Sequence, residues 1–126
     1  LMEWSARAGV PPQPSTPAPR QVLQAEHYMR EHARQAPTVG EVAQAVGVSA
    51  RGLSSAFRHF RSTTPMAFLR EVRLDGVRRA LIAAPEGATV ASIAEQWGYA
   101  NLGAFAARFR ARFGEYPSAL LRSSLR

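Results

Sequence analysis

The stretch Ala88–Pro117, ATVASIAEQWGYANLGAFAARFRARFGEYP, is where the chain is most readily read. Behind a threonine cap, Val90, Ile93, Ala94 and Trp97 recur at helical spacing, and Gly98 stands where a tight turn needs a residue tolerant of positive φ. A second helical pattern follows, with Phe105, Ala106 and Phe109 on one face and Arg108, Arg110 and Arg112 spread around it. A short helix, a glycine turn and a basic helix are the parts of a helix-turn-helix, and they point to nucleic acid.

An earlier segment repeats this plan. Thr38, Val39, Val42, Ala43, Val46 and Gly47 match Thr89, Val90, Ile93, Ala94, Trp97 and Gly98 at an offset of 51. Beyond the turn, Ser49, Leu53, Phe57, Arg58, Pro65, Ala67, Leu69 and Arg70 match Asn101, Phe105, Phe109, Arg110, Pro117, Ala119, Leu121 and Arg122 at 52, so the second turn is one residue longer. Alanine where two helices cross and glycine at the turn answer the same steric demand twice.

The remaining segments fill in around the repeats. Val22, Ala25, Met29, His32 and Ala33 give a packing helix from Gln21 to Ala36 that Pro37 stops. Thr38 with Glu41 forms a capping box for the first short helix, and Ser49 caps a helix reaching about Arg61 with Leu53, Ala56, Phe57 and Phe60 facing inward. Pro65, placed after Thr64, opens a connecting helix to Ala84, about 30 Å long at 1.5 Å per residue. Gly76 in its middle is expected to weaken it slightly. The expected architecture is all-α: two helix-turn-helix subdomains, 38–61 and 89–113, joined by a linker helix 65–84 and followed by a closing helix 117–125, with about seven helices in a domain spanning 20–126. Residues 1–19, with five prolines, read as an extended interdomain tether or a disordered tail.

Composition narrows the partners. All 16 basic residues are arginines, the formal charge is +7 and the pI about 11.4. Arginine's planar fork suits phosphate or guanine, so the balance points to a polyanion. There is no cysteine, hence no disulfide framework, cysteine zinc site or thiol nucleophile. No apolar run approaches the roughly 20 residues of a membrane span and no signal peptide is evident, so a cytoplasmic location is expected. A start at Leu1 is what a piece of a longer protein would show.

In a helix-turn-helix the N-terminal residues of the second helix reach base edges in the major groove. That makes Arg51, Ser54 and Ser55 the candidate readers of the first lobe, with a solvated helix face as the alternative for Arg51. In the second lobe Leu102, Gly103, Ala104 and Ala107 hold the corresponding face, and none offers a side-chain hydrogen bond. Gly103, Ala104 and Ala107 can touch a thymine methyl or lie close to the backbone. Arg58 and Arg110, equivalent in the repeat, are phosphate candidates, and so are Arg108 and Arg112 against an ordinary basic face. Arg70, Arg73, Arg78 and Arg79 on the linker helix add to the field near a duplex, a pairing inside the fold being the alternative for Arg73. Reading helices entering successive major grooves must stand about 34 Å apart, the scale of the linker helix.

VRLDGVRRALI (72–82) and IAEQWGYANLGAFAARFRARFGEYPSALL (93–121) resemble the DNA-binding domain of the AraC/XylS family of bacterial transcription regulators. The resemblance covers Gln21 to about Arg122. It implies seven helices, two helix-turn-helix lobes, binding to double-stranded promoter DNA, contact with RNA polymerase, and a separate effector or dimerisation domain, often N-terminal. The sequence departs from the family at Tyr99, where phenylalanine is usual, and at Gly103, Ala104 and Ala107, where polar readers are often found.

Two other classes are weighed against this. His27, His32 and His59 form no catalytic or metal-ligating spacing, and no paired acids or phosphate-cradling glycine loop occur, so neither an enzyme nor a cofactor or metal is expected. The small face of the second lobe keeps a second reading open, a helical interaction module that retains the fold without binding DNA.

Overall fold

The computed structural model describes residues 19–125. Among them the chain is all-helical: α1 (Pro19–Glu31), α2 (Val39–Val46), α3 (Ala50–Arg61), α4 (Pro65–Ile82), α5 (Val90–Gln96), α6 (Leu102–Phe113) and α7 (Pro117–Ser124), with a 3-10 turn at Ala33–Gln35. The expected repeat is present in the backbone. Thr38 Oγ1 accepts from Glu41 N at 3.1 Å while Glu41 Oε1 accepts from Thr38 N at 2.8 Å, the capping box read from sequence. Thr89 and Ser92 close the same reciprocal cap on α5. At the two turns Gly47 (φ 78°) and Gly98 (φ 80°) take the left-handed conformation. The next amides, Val48 N and Tyr99 N, then return to Ala43 O and Ala94 O, both at 3.0 Å. Ser49 and Asn101 cap the second helices, so the extra residue lies in the turn as the offsets require.

Two compact units are formed. Among the described residues the first holds 19–28 with Thr38–Met66, and the second holds Met29–Pro37 with 67–125. The first buries Val22, Ala25, Val42, Ala43, Leu53, Ala56 and Phe57. Glu26 is buried among them and accepts from Arg61 Nε at 2.8 Å and from its Nη2 at 3.2 Å, along one edge of the guanidinium. Phe60, expected inside, is 37% exposed and lies edge-on to His59. It sits on the last turn of α3, where the next residue, Arg61, is the one directed to the buried carboxylate.

The expected single helix from Gln21 to Ala36 is broken. It stops at Glu31, tightens into the 3-10 turn, and leaves through Ala36 in a left-handed conformation (φ 50°). Pro37 is the physical reason, since its ring disfavours the α conformation in the residue before it. The linker helix likewise ends at Ile82, two residues short of Ala84.

The second unit is built on α4, whose Leu69, Val72, Leu74, Val77 and Leu81 are all buried. Gly76 corrects the sequence reading most clearly. A methyl group there would overlap the six-membered ring of Trp97, with Cζ3 and Cζ2 at 2.7 and 2.8 Å. The glycine is thus where α4 admits the tryptophan rather than a simple weakness. Tyr99, in the turn before α6, and Phe105, Phe109 and Phe113 along it form a row of tilted ring pairs with centroids 4.7, 5.9 and 4.6 Å apart.

One stability prediction arises at the end of α3, where Ser62 is left-handed (φ 56°) and its N–H bonds Arg58 O. Glycine relieves the Cβ penalty of that conformation. Ser62→Gly is expected to raise stability by about 0.5 to 1 kcal/mol, seen as a higher urea midpoint.

Candidate nucleic-acid interface

Both second helices begin in the same way. Ser49 Oγ accepts from Gly52 N and Asn101 Oδ1 from Ala104 N, each at 3.0 Å, so the caps themselves are committed to the backbone. On the first turns of α3 beyond the cap, Arg51 and Ser55 are exposed and Ser54 is half-buried. Arg51 makes no hydrogen bond or ion pair within the described residues, which leaves its donors available.

The face of α6 is different in kind. Leu102, Gly103, Ala104 and Ala107 are exposed, Leu102 at 42%. A Cβ on Gly103 would meet only Asn101 Oδ1, at 3.6 Å, an ordinary contact. Nothing in the fold demands glycine there, so its bare backbone is a property of the exposed face. Gly103→Ala should therefore raise helix stability by up to about 1 kcal/mol in a thermal melt.

The phosphate candidates divide by their partners. The Arg58 side chain is exposed and makes no hydrogen bond or ion pair among the described residues, whereas Arg110, its equivalent in the repeat, donates to Tyr116 Oη at 3.0 Å with its guanidinium 4.7 Å from the ring centroid. Arg108 is exposed, and its charge acts on the Tyr99 hydroxyl. Arg112 is held bidentately by Asp75 at 2.9 and 3.1 Å, with Glu71 at 3.6 Å from its Nη1. The hydrogen bonds that Arg112 donates to Asp75 raise its guanidinium pKa above the usual value. Burial likewise raises the Tyr99 hydroxyl, against the opposing charges of Arg73 and Arg108.

Arg73 is taken up inside the second unit, and its partners are carbonyls rather than an acid. It donates to Ala33 O at 3.0 Å and to Trp97 O, and lies 4.7 Å from the Tyr99 ring centroid. It thereby ties the 3-10 turn and α4 to the glycine turn that aims α6. The sequence reading left a pairing of Arg73 with an acid inside the fold open without finding these carbonyls, and it missed the Glu26–Arg61 and Asp75–Arg112 pairs. The partners lie 24 to 40 residues apart, and no short spacing marks them.

A tandem helix-turn-helix with a basic exposed surface defines a DNA-binding domain. Residues 42–123 match the family described as "Helix-turn-helix domain". The chain is 38% identical over 112 residues to the "Probable thc operon regulatory protein" of Rhodococcus erythropolis, covering 88% of this chain and 34% of that one. It is 30% identical over 92 residues to the "XylDLEGF operon transcriptional activator 2" of Pseudomonas putida, covering 72% and 59%. The crystal structure of a probable AraC family transcriptional regulator from Rhodopseudomonas palustris superposes with a TM-score of 0.76 at 34% identity, over 83% of this chain and 97% of that one. The chain belongs to the AraC family of transcription regulators, as its helix-turn-helix DNA-binding domain, and that family is not one of enzymes. It spans about a third of the first of these relatives and about three fifths of the second. Among the described residues no helix is long and apolar enough to cross a membrane.

Proposed function

We propose that this domain binds a promoter site sequence-specifically, entering successive major grooves with α3 and α6. The observation that carries the reading is the capped N-terminal end of α3, where Arg51, exposed and without a side-chain partner among the described residues, stands beside Ser54 and Ser55. Base discrimination is concentrated in this lobe. Gly103, Ala104 and Ala107 let α6 approach the bases closely with little hydrogen-bond readout, while Arg58, Arg108 and Arg110 hold phosphates. Arg112 would have to leave Asp75 to join them.

Operon control, contact with RNA polymerase, a separate effector or dimerisation domain joined through residues 1–18, which lie outside the described residues and precede Pro19 at the start of α1, and a cytoplasmic location complete the reading. The names of the operon regulators similar to this chain support the first of these. Salt dependence is the test. A domain neutralising several phosphates loses affinity with a log–log slope of about 0.9 per contact. Weak binding that is flat across salt would replace this reading with the helical interaction module, for which the donor-free face of α6 is the motive.

A further inference from the structure

Within the second unit, α4 and α6 border an open, shallow cleft of about 480 Å³. Arg70, Glu71 and Leu74 line it from α4, and Arg108, Ala111 and Arg112 from α6. Three guanidiniums meet there, but they are not equivalent. Arg112 is neutralised by its bidentate bond to Asp75 and half-covered, its side chain 33% exposed. Arg70 and Arg108 are exposed and make no hydrogen bond or ion pair among the described residues. Glu71 also lies at the rim, its side chain 60% exposed and only loosely paired, at 3.6 Å from Arg112 Nη1. Leu74 and Ala111 supply an apolar wall, beside which a charge is screened less than in open water.

Two free cations facing one cleft from adjacent helices repel each other unless an anion lies between them. The cleft is also far larger than the roughly 30 Å³ share of a single water, so a sugar-phosphate unit has room. We infer that it is a phosphate-oxyanion site in which Arg70 and Arg108 share one phosphodiester of the DNA backbone. Arg112, clamped by Asp75, is the strut that holds α6 against α4, and Glu71 lowers the affinity by repulsion. The inference rests on the DNA-binding reading, adds Arg70 to the interface, and assigns Arg112 a positioning role.

The test uses the whole 126-residue chain. Fluorescence anisotropy on a duplex chosen by binding-site selection is measured from about 0.05 to 0.2 M salt for the wild type, Arg70→Ala, Arg108→Ala, their double variant and Glu71→Gln. The double variant should lose about 0.9 from the log–log slope, one phosphate's worth, and about eightfold in affinity near 0.1 M salt. A single methylphosphonate linkage, scanned along the duplex, should weaken the wild type and leave the double variant unaffected. Glu71→Gln should bind about two- to fivefold more tightly. Unchanged thermal melts exclude misfolding as the cause.

A double variant with the wild-type slope and methylphosphonate profile overturns the site while base-specific binding survives. A slope loss of about 1.8, two separate phosphates, overturns the shared cradle. If the wild type binds no duplex at any salt, the DNA reading fails by itself, and inorganic phosphate titrated against the Ala67 and Ala111 amide signals decides the site. Saturable shifts that vanish in the double variant support an oxyanion site with a free phosphate as its source. Absence of shifts overturns it.

Discussion

Replacing Trp97 by alanine is expected to lower the stability of the second unit by about 3 to 5 kcal/mol, the range for truncating a large buried aromatic. The indole is 8% exposed and its six-membered ring occupies the space left by Gly76. The guanidinium of Arg34 lies 5.1 Å from the ring centroid. Hydrogen exchange of the α5–α7 amides reads this loss directly, because it follows the unit rather than the whole chain. Trp97→Phe should cost much less. The indole Nε1 is buried with no hydrogen-bond partner, so removing it also removes an unpaired donor whose desolvation costs about 1 to 3 kcal/mol.

The same packing fixes the sign of a change at Gly76. Helix propensity alone predicts that Gly76→Ala stabilises α4 by about 1 kcal/mol. Overlap with the ring costs about 1 to 3 kcal/mol, so a net loss is expected in the wild-type background. In a Trp97→Ala background the overlap disappears and the same substitution should stabilise. A gain in both backgrounds would refute the close approach.

Arg51→Ala should reduce discrimination at one base position by about 1 to 3 kcal/mol, or about five- to 150-fold, without a change in melting temperature. The missing stability effect follows from the structure, since the Arg51 side chain is exposed and bonds to nothing among the described residues. Arg110→Ala should instead weaken all sites about equally, the signature of a phosphate contact. Binding-site selection on the two variants checks both outcomes. Equal constraint of the two half-sites would end the division of labour between the lobes, unless the shape of the DNA carried the second.

The repeat was legible because each of its parts answers a local demand. A cap must satisfy free N–H groups within three residues, and a tight turn needs φ near 80°, so Thr38, Thr89, Gly47 and Gly98 announce themselves by residue type. The candidate readers on α3 followed from that placement. Phe60 was misread because a helical stripe records a face but not how far along the helix its packing partner extends. Gly76 was misread because propensity weighs a glycine against solvent, whereas here it faces a tryptophan 21 residues away.

By itself, then, the sequence determined the helices, their caps, the tandem arrangement and the basic character of this domain, all of which depend on neighbours within a turn or two. Only the tertiary structure decided which arginines are spent inside the fold. Arg61, Arg73 and Arg112 meet Glu26, the Ala33 and Trp97 carbonyls, and Asp75 across distant segments, while Arg51, Arg58, Arg70 and Arg108 have no such partners among the described residues. On a single helix these residues look alike, since a guanidinium is distinguished by what the chain folds against it.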